Sequence, residues 1–457
     1  MRRKKIIIFL ISLIIILLPY LVNPPEALNI QGFKALTIFI VCVLWWVTNV
    51  VPLMITSLLA IVLLPLMGVS STEAVYSKFG NTAIFFVIGS FILSAAFVNS
   101  GLSSRFTLKF LKTFGKNPLH LVLGFQYLSL IMGFWMSGHA VAALLIPLVL
   151  EINELIIEQK EGSLYAKSLC FSVMWGAVIG SMTTLLGGAR GPLAIAILEK
   201  STGQTISFSK WILFTIPLVS IISIIATLIL IKITPKDIEI SYCKEKIQQK
   251  VDKIGKLTKK EKRVLFVLIP TILAWIIFGT QLGIATIALT ATIALFILNA
   301  VKWSEVERDV NWGVILMYGG AIALGYTLYE SGVSDWLIQI SLGAFTQTGL
   351  IIILLTLIVV ILTESMSNTA VVAFLLPVAL SAALSLNIHP IIMVMLVTVP
   401  SGMAFMLPMS TPAVAMMLST GYLDLKDTIK YGILLNSSGI LLTILSAFIY
   451  WPLILGV

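Results

Sequence analysis

Long apolar runs separated by short polar stretches dominate the chain, and their lengths sort into two kinds. Runs at 6–21, 33–50, 52–68, 81–100, 210–231, 264–279, 281–300, 311–329 and 430–456 each come close to one membrane-crossing helix, which needs about 20 mostly apolar residues. Four other regions are less simple. Residues 118–152 and 347–385 are too long for one crossing and carry a polar break in the middle, so they predict re-entrant hairpins. Residues 168–200 and 389–418 are interrupted by glycine, proline and hydroxyl residues and predict broken helices. The pattern is that of an all-α polytopic membrane protein with about 11 transmembrane helices.

The basic tetrad Arg2-Arg3-Lys4-Lys5 before the first apolar run resembles a signal peptide, but the run is long and Asn23-Pro24-Pro25-Glu26 follows it. A cleavage site would have small residues there, so residues 1–32 are expected to remain as a transmembrane helix. Composition agrees with membrane insertion: 59% of the 457 residues are hydrophobic and 11% charged, against about 25% charged in ordinary globular domains. The net charge of +10 comes from that tetrad and from residues 232–263, where eleven Lys/Arg face five Asp/Glu. Such placement marks cytoplasmic segments, not a nucleic-acid surface. With Cys42, Cys170 and Cys243 spaced apart and no CxxC, neither a disulfide framework nor a zinc site is expected.

With both basic segments in the cytoplasm, the first hairpin (118–152) enters from that side and the second (347–385) from outside, leaving the C-terminus outside. Residues 33–231 and 264–457 would then be two inverted repeats joined by a solvated, flexible linker. Internal similarity supports this. SGHAVAALLIPLVL at 137–150 matches SNTAVVAFLLPVAL at 367–380 in seven of fourteen positions, and Gly89 and Ser100-Gly101 match Gly320 and Ser331-Gly332. The offsets are 230 and 231 residues. Arg105, Lys109, Lys112 and Lys116 predict an amphipathic interfacial helix before the first hairpin, with a counterpart near 335–343.

Non-helical backbone at membrane depth is tolerated only where it is buried in protein or lines a watery cavity, so the four breaks locate the site. They are Ser137-Gly138-His139, Thr184 to Gly191, Ser367-Asn368-Thr369 and Ser410 to Val414. Half-helix N-termini present free N–H groups suited to a carboxylate, and unwound carbonyls suit a small cation. Gly187, Gly188, Arg190, Thr411 and Pro412 join the hairpin tips as candidate contacts to a small anion. An intramembrane charge costs at least about 2.5 kcal/mol at the helix centre, which makes Arg190 a functional candidate, unless it forms a structural ion pair with Glu199 or Glu364. His139 either hydrogen-bonds the substrate, couples transport to protons, or is a satisfied tip residue. Glu364 either carries protons or accepts backbone N–H bonds that fix the tip.

Thr363-Glu364 followed by SNTAVVAFLLP resembles the second Ser-Asn-Thr hairpin motif of the divalent anion/sodium symporter (DASS) family, and AFMLPMSTPAV resembles its second unwound motif. The resemblance spans nearly the whole chain. It implies a homodimer with a scaffold and a mobile transport domain that carries a di- or tricarboxylate, or sulfate, elevator-fashion through the lipid bilayer of the cell membrane. The chain departs from the family at three places. The first tip reads Ser137-Gly138-His139 instead of Ser-Asn-Thr. Gly187-Gly188-Ala189-Arg190-Gly191 stands where Gly-Thr-Pro-Pro-Asn is expected, and Ala413-Val414 replaces Pro-Asn after Thr411-Pro412. A guanidinium thus takes the place of a first sodium, while a second sodium at Ser367, Asn368, Thr369 and Ala413 stays open.

A charge that cannot dissociate predicts sodium-independent exchange of dicarboxylates. Sodium- or proton-coupled symport is the alternative. A channel or passive subunit has no use for two-fold broken hairpins, and neither HExxH nor GxSxG points to an enzyme.

Overall fold

The computed structural model describes residues 2–333, 336, 348–386 and 388–457. The expected interfacial counterpart at 335–343 lies outside the described residues, apart from residue 336. The first half contains α1 (Arg2–Leu21), α2 (Ile30–Thr48), α3 (Leu53–Leu66), α4 (Thr72–Tyr76), α5 (Thr82–Asn99) and α6 (Leu102–Phe114). It continues through α7 (Pro118–Met132), α8 (Gly138–Ile156), α9 (Gly162–Gly180), α10 (Arg190–Thr202) and α11 (Phe208–Ile233). After α12 (Ser241–Ile254), the second half runs through α13 (Lys259–Leu282), α14 (Ile284–Ile297), α15 (Trp303–Asp309) and α16 (Trp312–Glu330). It ends with α17 (Thr348–Ser365), α18 (Asn368–Ser385), α19 (Pro390–Thr398), α20 (Pro412–Ser419) and α21 (Leu425–Leu445).

Among the described residues there is no strand, and nine helices are long and apolar enough to cross a membrane, compared with the expected eleven or so. Three of the expected single spans fall short: the runs at 52–68 and 281–300 wind as helices of 14 residues each, α3 and α14, and the run at 6–21 is a shorter apolar stretch of α1. One arm of each expected hairpin, α8 and α17, and the helix α9 before the first break are among the nine instead.

The residues repeated in sequence do the same work in both halves. Gly89 lets α5 cross α14 closely, since a Cβ there would stand 2.6 Å from that of Ala288. Gly320 does this for α16 against α3, where a Cβ would be 2.4 Å from the carbonyl oxygen of Ser57. Gly101 and Gly332 end the two helices with positive φ of 90° and 74°, a conformation glycine adopts without steric cost. Ser137 and Ser367 are the N-caps of α8 and α18, and Pro147 and Pro377 lie inside those helices. Packing is reciprocal as well: α10 of the first half packs on α18 of the second, and α20 of the second on α8 of the first.

The linker departs from expectation, because it is docked instead of free. Cys243 and Ile247 of α12 are buried, and Lys246 and Lys250 both pair with Glu151 on α8. Arg105 of the amphipathic α6 explains why the end of α12 is fixed. Its guanidinium reaches Glu261 at 2.6 and 2.9 Å and donates to the carbonyls of Gly255 at 2.8 Å and Lys256 at 3.0 Å. Both partners are buried, so neither charge has water to replace the other. Glu261→Ala is expected to destabilise the protein by about 3–5 kcal/mol, read as a lower melting temperature of the purified protein in detergent. An unchanged melting temperature would mean that the linker is not held by this pair.

Candidate functional site

Helix α9 ends at Gly180 and α10 starts at Arg190; between them lies the first break. Arg190 is 6% exposed, and its Nη2 donates to the carbonyl of Ser181 at 2.9 Å, with the Ser181 hydroxyl at 3.4 Å. This carbonyl is one that the end of α9 leaves free, so the guanidinium meets the partial negative charge of a helix C-terminus. The rest of the break is closed by threonines. Thr215 donates to the carbonyl of Thr183 at 2.8 Å, and Thr184 donates to that of Phe134.

Among the described residues Arg190 has no ion pair. Glu199, one of the two acids considered as partner, is exposed near the far end of α10. Glu364 is engaged elsewhere. It is 3% exposed and accepts from the backbone N–H groups of Phe405 at 2.9 Å, Met406 at 3.1 Å and Leu407 at 2.9 Å, and from Asn436 at 2.7 Å. These N–H groups belong to the second break, between α19 and α20, where Thr428 also donates to the carbonyl of Met406 at 2.7 Å. A positive group therefore satisfies a carbonyl at one break and a negative group satisfies N–H groups at the other.

Close contacts join all four breaks. Gly138 packs on the end of α9, where a Cβ would stand 3.1 Å from the carbonyl oxygen of Ala177 and 3.8 Å from the Cβ of Ser181, the residue that accepts from Arg190. Arg190 lies against Gly402, where a Cβ would stand 2.7 Å from Nη2, and beside Gly188, where it would stand 3.2 Å from Nη1. Gly187 is held against the carbonyls of Ser181 and Gly133. Next to Gly402, the carbonyl of Ser401 accepts from Thr363 at 2.6 Å, and Thr363 also lies 2.9 Å from the amide of Asn368. The Asn368 side-chain oxygen accepts at the longer of the two contacts, so the Thr363 hydroxyl bridges the second tip and the second break.

The two tips differ. Ser137 uses its hydroxyl to accept from the N–H of Ala140 at 3.3 Å, whereas that of Ser367 makes no capping bond. Thr369 is half-buried beside Asn368. Thr411 caps α20 by accepting from Val414 at 3.3 Å, with Pro412 exposed and Ala413 buried behind it. His139 is exposed and has no hydrogen bond among the described residues, so it lies apart from the buried contacts. Ser181, Gly402 and Asn436 were missed by sequence reasoning, and Thr363 entered only as the residue that leads into the second hairpin motif. Asn436 had a readable signal, as the one amide in the apolar run 430–456.

The whole chain, residues 2–457, matches the family described as "Sodium:sulfate symporter transmembrane region". The chain belongs to this family. It is 28% identical to the sodium-dependent dicarboxylate transporter SdcS of Staphylococcus saprophyticus, over 97% of this chain and 91% of that protein. For SdcS of Staphylococcus aureus the identity is 29% with the same coverage. The structure resembles the YdaH transporter of Alcanivorax borkumensis, with a TM-score of 0.58 at 15% identity over 83% of this chain and 88% of that one. It also resembles MtrF of Neisseria gonorrhoeae, with a TM-score of 0.58 at 12% identity over 97% and 95% of the two chains. These two likenesses concern the fold alone. The expected sodium-independent exchange is not supported, because the relatives are named for sodium dependence and the symport alternative fits them better.

Gly402 has no room for a side chain. Gly402→Ala is expected to push the guanidinium off Ser181 and destabilise the protein by about 1–3 kcal/mol, with Gly188→Ala costing less. Melting temperatures of the two variants check this, and equal shifts would contradict it.

Proposed function

We propose that the protein is a secondary carrier of dicarboxylates of the succinate, malate or 2-oxoglutarate type, coupled to sodium. The observation that carries this reading is Arg190, a buried guanidinium with no acidic partner among the described residues, set at the first residue of α10. A helix N-terminus holds about half a positive charge, which makes that position unfavourable for a second positive group and favourable for an anion. Arginine matches a carboxylate with two parallel N–H donors. With Arg190 at one carboxylate, the N-terminal turns of α8, α18 and α20 supply further donors from Ser137, Gly138, Asn368, Thr369 and Thr411, with Pro412 setting the start of α20 against the anion. Sulfate is a smaller dianion that the same donors could take, and the names of the relatives favour the dicarboxylate.

Sodium belongs to the second tip in this reading. The hydroxyls of Ser367 and Thr369, the second lone pair of the Asn368 side-chain oxygen and the carbonyl of Ala413 are neutral oxygen ligands, the kind a hard cation takes. At the first break the guanidinium already occupies the Ser181 carbonyl. The protein would work as a homodimer in the cell membrane, its N-terminus cytoplasmic and its C-terminus outside, with the transport domain moving elevator-fashion past a scaffold. Residues 33–231 and 264–457 would form the two repeats.

The test is uptake of labelled succinate into liposomes that contain the purified protein and no internal dicarboxylate. Uptake should follow an inward sodium gradient and vanish when potassium replaces sodium. Uptake that ignores sodium and requires internal dicarboxylate would overturn the coupling.

A further inference from the structure

An open polar cavity lies at the far end of α10. It has a volume of about 390 Å³ and is lined by Lys78, Asn81 and Thr82 at and just before the start of α5 and by Glu199, Lys200 and Gly203 at the end of α10. That volume suits a small organic anion. Helix α10 has 13 residues, and at 1.5 Å per residue it separates the cavity from Arg190 by about 14–20 Å. One helix therefore carries the buried charge of the central site at its start and Lys200 in its last turn.

Neither lysine is neutralised by a salt bridge among the described residues. Lys78 is held by an aromatic face instead, its ammonium 3.3 Å from the centroid of the Tyr326 ring. A cation–π contact fixes the charge in place without cancelling it. Glu330, one helical turn beyond Tyr326, acts on Lys78 from beyond pairing distance, and Glu199 is an exposed acid on the cavity wall. Two ammonium groups that line one cavity repel each other, and an anion between them relieves the repulsion. The 18-residue α5 also begins here; Asn81 caps it by accepting from Ala83 at 2.8 Å, so the positive end of that helix adds to the field.

We propose that this cavity is an anion-loading site, which takes a small dicarboxylate from the aqueous phase before it reaches the four breaks. The inference rests on the transport reading above, and in the orientation given there the cavity opens at the outer face. Charged residues at such a mouth raise the local concentration of the anion and the rate of its capture, an effect that weakens with salt.

Two readings test it, one of which needs no transport. Cys42, Cys170 and Cys243 are buried, so a cysteine placed by Ser77→Cys at the cavity rim reports alone. A negatively charged methanethiosulfonate should label it faster than a positively charged one, and adding Lys78→Gln and Lys200→Gln should reduce that preference about three- to tenfold. In liposomes, Lys78→Gln with Lys200→Gln should raise the KM for succinate by a similar factor at low salt with little change in kcat, and Glu199→Gln should lower it. A labelling preference that ignores the lysines overturns the site, and so does an unchanged KM. A preserved preference in protein that transports no succinate would leave the anion site standing and overturn the transport reading instead.

Discussion

Backbone N–H and C=O groups freed by a helix break inside a membrane have no water to turn to, and each needs a partner within the protein. The two breaks meet this constraint with opposite charges. At the first, the Arg190 guanidinium takes the Ser181 carbonyl at the end of α9. At the second, the Glu364 carboxylate takes three consecutive N–H groups, from Phe405 to Leu407, with Asn436 completing its shell. Opposite charges in a low-dielectric interior would ordinarily pair, and here each is spent on backbone. The carboxylate is saturated by four donors. The guanidinium is not, because Ser181 engages only one of its nitrogens among the described residues, and glycines at 188 and 402 keep side chains off its faces.

This asymmetry sits inside a nearly symmetric frame. Gly89 and Gly320 permit equivalent close helix crossings, Gly101 and Gly332 end equivalent helices, and Ser137 and Ser367 cap equivalent hairpin arms. The halves exchange elements at the centre, α10 onto α18 and α20 onto α8. The breaks depart from this frame: the first commits the Ser181 carbonyl to the fixed charge of Arg190, and at the tips the Ser137 hydroxyl caps its helix while that of Ser367 makes no capping bond. The docked linker ties the frame together at its edge through Arg105 and Glu151, so the connection between halves is itself structured.

Much of this was legible in the sequence because membrane insertion writes strong patterns. Run length marked the spans, and polar interruptions marked the breaks where helices do stop, at 133–137, 181–189 and 399–411. Arg190 and Glu364 stood out as charges in apolar surroundings. Their partners did not. Ser181, Ser401 and Thr363 look like ordinary small polar residues, and only the fold reveals that their carbonyls and hydroxyls face one another across long sequence separations. The linker was misread for a related reason: its high charge suggested solvent, yet Cys243 and Ile247 form a sparse apolar face and Arg105 lies 150 residues away from the carbonyl it binds at Gly255. The lengths of α3 and α14 were overestimated because apolar composition continues past the point where the helix ends.

The central claim is that the buried guanidinium waits for an anionic partner. Succinate affinity of purified protein, measured by titration calorimetry on wild type and on Arg190→Gln together with both melting temperatures, tests it most directly. Loss of a charge-assisted bidentate contact, about 1.5–3 kcal/mol, should weaken binding about ten- to hundredfold. The melting temperature should change little, since the new amide keeps a donor for the Ser181 carbonyl while an uncompensated buried charge has been removed. Affinity that survives the substitution while the melting temperature falls would make Arg190 a structural staple of the first break and contradict the account.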